Sequence, residues 1–170
     1  MIHKLKAHQN IKNISIEASF ECTKDKLRVT FVVGGALLDY IFPEPYKLKR
    51  ADELWKATCF ELMLANEDEL YYELNFSPSL GWNFYALESY RFEPKELEYF
   101  EEPSIFVEKN ENLFRIILEF ESTGFNFEIF THYNLATILL NKQNERTFWA
   151  IKHLKTQPDF HDRDSFLEIL

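Results

Sequence analysis

Short runs in which apolar and polar residues alternate recur along this chain, and they restrict it to strands more firmly than any other feature. The pattern is densest in residues 50–91, RADELWKATCFELMLANEDELYYELNFSPSLGWNFYALESYR. Over 58–65 the even positions Phe60, Leu62 and Leu64 are apolar, and the odd ones are Cys59, Glu61, Met63 and Ala65. Over 70–77 Leu70, Tyr72, Leu74 and Phe76 alternate with Tyr71, Glu73, Asn75 and Ser77. Successive side chains of a strand point to opposite faces, so each run has a core face and a mixed face. The polar link Asn66-Glu67-Asp68-Glu69 joins the two runs as a hairpin. Glu61, Glu73 and Asn75 then share one side of the sheet. That side is either a solvated outer face, as antiparallel sheets normally have, or a binding face with Trp55 or Trp82 at its rim.

The same period recurs on both sides of this stretch. Residues 14–22 and 27–33 read as strands joined by a turn at 23–26, and Gly34-Gly35 breaks the second. A third apolar run over 37–42 is closed by Pro43-Glu44-Pro45, followed by a short helical turn near 48–54. After the loop at 77–81, residues 82–91 continue as an aromatic strand, and acidic residues 93–102 form a surface connection. Residues 105–108 and 113–121 flank Lys109-Asn110-Glu111-Asn112, a hairpin signature. One strand falls within 125–140, a polar turn at 141–145, and a last strand over 147–153. About ten short strands separated by turns predict a sandwich or barrel. The expectation is one all-β domain over 1–170: an antiparallel, jelly-roll-like β-sandwich with few short helices.

Aromatic residues make up 16% of the chain, with 17 Phe and 8 Tyr against 4 Gly. Such rings favour strands and fill a core. A formal net charge of -9 repels phosphate backbones and argues against general nucleic-acid binding. No basic amphipathic stretch suits an anionic membrane, and no apolar run reaches the length of a membrane span or a signal peptide. The chain is therefore expected in the cytoplasm. Cys22 and Cys59 belong to no CxxC pair or zinc cluster and read as reduced, packed thiols, since a disulfide would need an oxidising compartment. Nothing in the pattern fixes an oligomeric state.

Three blocks in order, RADELWKATCFELML, YYELNFSPSLGWNFYALESYR and FWAIKHLKTQPDFHDRDSFLEIL, resemble the successive signatures of a bacterial DOMON-like family related to type 9 carbohydrate-binding modules. The resemblance runs from residue 50 to the end, carried by LWxxTCFE, NFSPxxxW and PDFH. It implies a β-sandwich that binds a ligand on one face or at its rim. Related domains bind sugars or haem. In the sugar binders two tryptophans clamp the ring, and a glutamate follows one of them by six positions. Trp55 and Glu61 have that spacing, and Trp149 on the last strand matches the second clamp. Pyranose C–H groups suit an aromatic face, while hydroxyls need polar partners such as Glu61, Glu73, Asn75 and Arg91. Haem would take axial ligands such as Met63 with His132, His153 or His161, without covalent attachment because no CxxCH is present.

Each candidate also has a structural alternative. Glu61 lies among small and apolar neighbours, so Arg91, Arg50 or a ligand must meet its charge. Trp55 either caps the sandwich end or contacts ligand. Trp82 and Trp149 pack in the core unless Trp149 faces Trp55 across a cleft. Asp159 and His161 flank Phe160, with His153 eight residues earlier. Such a cluster serves acid–base chemistry or a metal, or else Asp159 caps a turn and His161 pins the tail. No nucleophile or third ligand stands at a catalytic spacing, so no catalytic or metal site is predicted. The expected function is a non-catalytic module for a small molecule, foremost a saccharide, with no required cofactor. The alternatives are a haem or redox-cofactor domain, an enzyme built on His153, Asp159 and His161, and a scaffold for another protein.

Overall fold

Alternation becomes strand throughout the computed structural model, which describes residues 1–98 and 101–169. In chain order the first strands are β1 (Ile2–Lys4), β2 (Lys6–Ala7), β3 (Ile14–Cys22), β4 (Lys26–Gly35) and β5 (Lys49–Arg50). The central ones are β6 (Cys59–Ala65), β7 (Tyr71–Phe76), β8 (Gly81–Leu87) and β9 (Lys95–Glu96). The last are β10 (Ser104–Lys109), β11 (Leu113–Glu121), β12 (His132–Leu140), β13 (Arg146–Ala150) and β14 (Leu167–Glu168). A five-stranded sheet runs β1-β3-β4-β11-β10, and a nine-stranded sheet runs β2-β13-β12-β6-β7-β8-β5, with β14 added to β12 and β9 to β8. All pairs are antiparallel except the two-residue contact of β5 with β8. The chain is an antiparallel β-sandwich. No helix in the described residues is long and apolar enough to cross a membrane.

The inner faces meet over a core of rings. Phe31, Phe60, Phe76, Phe84 and Phe114 are fully buried there, and Phe60 stacks on Phe114 at 5.8 Å between centroids. This is where much of the aromatic excess goes. The outer face of the small sheet is polar and exposed, as in β3, where Ser15 and Glu17 alternate with buried Ile14, Ile16 and Ala18.

The large sheet behaves otherwise. Every residue of β6 is buried, on both faces. The solvated outer face that alternation allows is thus corrected: a second apolar cluster, including Met63, Tyr71, Leu87 and Ile138, lies there under Phe160 and Phe166. The C-terminal tail covers this face, pinned among other contacts by the following. β14 pairs with His132 and Tyr133 of β12, Asn134 Nδ2 donates to the Phe160 carbonyl at 3.1 Å, and the Arg163 guanidinium donates to the carbonyls of Asn66 and Asp68 in the β6–β7 turn.

Several element limits shift for reasons visible in the ladders. The strand expected over 82–91 stops at Leu87, because its partner β7 begins at Tyr71, which is paired with Leu87. The strand expected to reach His153 stops at Ala150, paired with Ala136, because β14 occupies the edge of β12 beyond that point. The helical turn expected near 48–54 is a single 3-10 turn over Leu54–Lys56, and the apolar run at 37–42 contains another, Leu37–Asp39. In the acidic connection Lys95–Glu96 pairs with β8, while Tyr99 and Phe100 lie outside the described residues.

Candidate functional site

A recess of about 570 Å³ opens on the outer face of the large sheet, where the covering tail stops short. β6 and β7 supply Glu61 and Glu73 to its lining, the 3-10 turn supplies Trp55, and β13 supplies Phe148 and Arg146. The turn after β8 adds Arg91 and Phe92, and the tail adds Gln157 and His161. In the hairpin register Glu61 lies opposite Asn75, and Glu73 opposite Met63. The two acids are therefore diagonal neighbours on one face, as period-two alternation requires.

The acids are unusual in their surroundings. Glu61 is 3% exposed and Glu73 8%. Neither forms an ion pair among the described residues, because Arg91 is engaged by Asp159 at 3.0 Å and Arg50 by Glu96 at 3.0 Å. The internal salt bridge expected for Glu61 is thus not made. Burial, and after it the charge of Glu73, pushes the Glu61 carboxyl well above the usual carboxylate range. Glu73 accepts a hydrogen bond from Asn75 Nδ2 at 2.9 Å. The Oδ1 of that same Asn75 is buried with no partner.

Around the acids stand groups fixed by hydrogen bonds. Arg91 sits in the left-handed region at φ 53, in a turn closed by Phe92 N donating to the Ser89 carbonyl. Its backbone N–H donates to the Tyr71 hydroxyl at 3.3 Å, and that hydroxyl lies 2.7 Å from His161 Nδ1. The Tyr71 hydroxyl thus links the Arg91 backbone to the His161 ring. Burial, reinforced by Arg91 against the opposing charges of Glu73 and Asp159, lowers the His161 pKa. Burial raises the Tyr71 hydroxyl to about 12. At the mouth, the Arg146 guanidinium lies 5.8 Å from the Trp55 ring and 5.8 Å from the Phe148 ring, so both rings flank one cation.

No family model matches the chain, and no curated protein matches it in sequence. Among solved structures it is similar to one described as a putative carbohydrate-binding protein from Bacteroides uniformis. The match has a TM-score of 0.62 at 9% identity and covers 98% of this chain and 84% of that one. The likeness is one of fold. At such identity it carries the two-sheet arrangement and says nothing of individual side chains.

The structure brings together five of the ten residues singled out in the sequence: Trp55, Glu61, Glu73, Arg91 and His161 line the recess. Asn75 stands beside them on the same face. Trp82 does not reach the rim; it is 1% exposed on the inner face, edge-on to Phe120 at 5.3 Å. Trp149 also points inward, 3% exposed, with Nε1 donating to Thr147 Oγ1 at 3.0 Å. A clamp of Trp55 with Trp149 is therefore not formed, and Phe148, one residue earlier and on the opposite face of the strand, lines the recess instead.

His153 and Asp159 are not part of the lining. His153 Nε2 lies 2.9 Å from the Lys6 carbonyl, and the ring packs edge-on to His8. Asp159 accepts from Tyr90, Lys155 and Arg91 and from the backbone N–H of His161, not from its ring. Among the described residues no Asp carboxylate bonds a His ring, and His153, Asp159 and His161 do not come together as one unit. Of the residues considered for haem, only His161 lines the recess; Met63 is fully buried, and His132 Nδ1 lies 2.9 Å from Thr131 Oγ1. Sequence reasoning missed Phe148, Arg146, Phe92 and Gln157. For Phe148 a signal existed: it shares parity with Arg146, whose charge marks the outward face of β13.

Proposed function

We propose that this protein is a binding module of the DOMON-like kind, with the recess on the large sheet taking a saccharide. One observation carries this reading. An exposed indole and a phenyl ring, Trp55 and Phe148, line one recess with two buried acids that no cation of the described residues pairs. Aromatic faces suit sugar C–H groups, and carboxylates accept from hydroxyls. The volume, about 570 Å³, falls in the range of small-ligand pockets. The fold likeness to a structure described as a putative carbohydrate-binding protein supports the reading at the level of architecture.

Fluorescence titration against mono- and disaccharides tests it. Of the 3 tryptophans, Trp82 and Trp149 are sealed in the core while Trp55 is 42% exposed. Binding should therefore perturb an emission component that Trp55→Phe abolishes. A saturable change that survives Trp55→Phe, or no change with any sugar, refutes the assignment of this recess.

A further inference from the structure

Two acids meet at the floor of the recess. Glu61 and Glu73 bring carboxyl oxygens, and the register places Asn75 directly across from Glu61. Asn75 Nδ2 is committed to Glu73, while its Oδ1, in a side chain 3% exposed, has no donor within reach. Buried acceptors without partners are rare in folded proteins because each is costly. Here Glu61 and Glu73 line an open recess, and the Asn75 acceptor adjoins them on the same face. A neutral hydroxyl brings one donor and two acceptor lone pairs; an ammonium brings three donors, no acceptor and a positive charge.

Resting on the saccharide reading, we infer that the recess selects a sugar carrying a protonated amine, whose ammonium enters among Glu61, Glu73 and Asn75 while the ring packs against Trp55 and Phe148. Arg146 at the mouth has no carboxylate partner among the described residues and is placed to donate to ring or hydroxyl oxygens. Arg91 is held back by Asp159 and does not compete for the acids.

The arrangement predicts proton release on binding. Glu61 is held toward its neutral form by burial and by Glu73, so an arriving ammonium displaces the Glu61 proton to solvent. The charged and titratable groups around Glu61 among the described residues include Cys59 on its own strand, Glu73 and Tyr71 on β7, Tyr85 on β8 opposite Glu73, Arg91, Arg146 and His161. The Cys59 thiol and Tyr71 hydroxyl are raised and stay neutral, and the lowered His161 stays neutral above its ordinary range. Of these groups Glu61 is thus the one whose titration an arriving positive charge shifts downward. Affinity should rise with pH through the Glu61 titration and fall when the ligand amine loses its proton.

Calorimetry on the full chain, in two buffers of different ionisation enthalpy, tests this with deacetylated chitobiose, N-acetylated chitobiose and cellobiose. The expected result is a preference of about tenfold to a hundredfold for the amine over both neutral sugars, the scale of charge-assisted hydrogen bonds. That binding should also show net proton release. Glu61→Gln and Glu73→Gln should each bring the preference toward parity without loss of thermal stability. Equal affinity for cellobiose and the amine overturns the inference and leaves the saccharide reading intact. No binding of any of the three overturns that reading as well. If putrescine matches the amino sugar, the ammonium site stands and the saccharide reading falls.

Discussion

Asp159 bolts the tail over the large sheet, and replacing it with alanine measures how much of the recess depends on that contact. The carboxylate is 7% exposed and accepts from Tyr90 at 2.6 Å, Lys155 at 2.7 Å, Arg91 at 3.0 Å and the His161 N–H at 3.2 Å. Taken singly, hydrogen bonds to a charged group contribute about 1.5–3 kcal/mol each. Arg91 and Lys155, however, are 52% and 48% exposed and recover water when released, so those two pairs contribute the smaller part. The Tyr90 and backbone bonds add the rest, for a net loss of about 2–3 kcal/mol. Alanine leaves no stranded buried charge, since every partner except the His161 amide sits near solvent.

The assay is urea unfolding combined with amide hydrogen exchange. Residues 151–169 should lose protection by more than β4, because the tail opens as a local unit before the sandwich does. The cost has a definite pH window. Burial alone would raise the Asp159 carboxyl, but the bonds from Lys155, Tyr90 and Arg91 outweigh it and hold it well below the usual range. A lowered folded-state value gives stabilisation that is present above the unfolded value of 3.8 and lost as pH falls through the folded one. The mutational cost should thus be equal at pH 7 and pH 5 and shrink only below about pH 4. A loss under about 0.5 kcal/mol, with tail exchange unchanged, would show that the tail is held without Asp159, by the packing of Phe160 and Phe166 and by the β14, Asn134 and Arg163 contacts.

Other substitutions separate the recess from the core. Glu61 has a raised value in the folded state, so its contribution is fully present below the unfolded value of 4.5 and is lost as pH rises from there through the higher folded one. Glu61→Gln should therefore stabilise the protein at pH 8 by about 1–3 kcal/mol in denaturant titrations, and an unchanged or lowered stability there contradicts the burial argument. His161 works in the opposite direction: its lowered value costs stability as pH drops below 6.5, and His161→Gln should flatten that part of the stability profile. Trp55→Ala, at an exposed position, should change stability by no more than about 0.5 kcal/mol while abolishing saccharide binding. Trp149→Leu should cost about 3 kcal/mol of stability with ligand affinity retained once the protein is folded, the reverse split.

Period-two alternation is a strong guide to strands because it reports directly on two faces, and the β6–β7 hairpin shows how far that guide reaches. It placed Glu61, Glu73 and Asn75 on one side, and they are there. Alternation is silent on what lies over a face, because cover comes from segments distant in the chain. Here the cover is a tail some ninety residues beyond the hairpin, as in the contact of Tyr71 with His161 at |i−j|=90. The same gap explains Trp149. Phe148 and Trp149 are both large and aromatic, so hydrophobicity cannot rank their faces. The neighbours can: Arg146 shares a face with Phe148, and Thr147, which receives the Trp149 indole N–H, shares a face with Trp149. A strand's small and charged residues thus orient it when its aromatic ones do not. Carried back to β6, that logic makes Glu61 the informative residue. A carboxylate on a face that is otherwise Cys59, Met63 and Ala65 needs either a cation or an opening; with Arg91 and Arg50 engaged elsewhere, Glu61 lies in the wall of the recess.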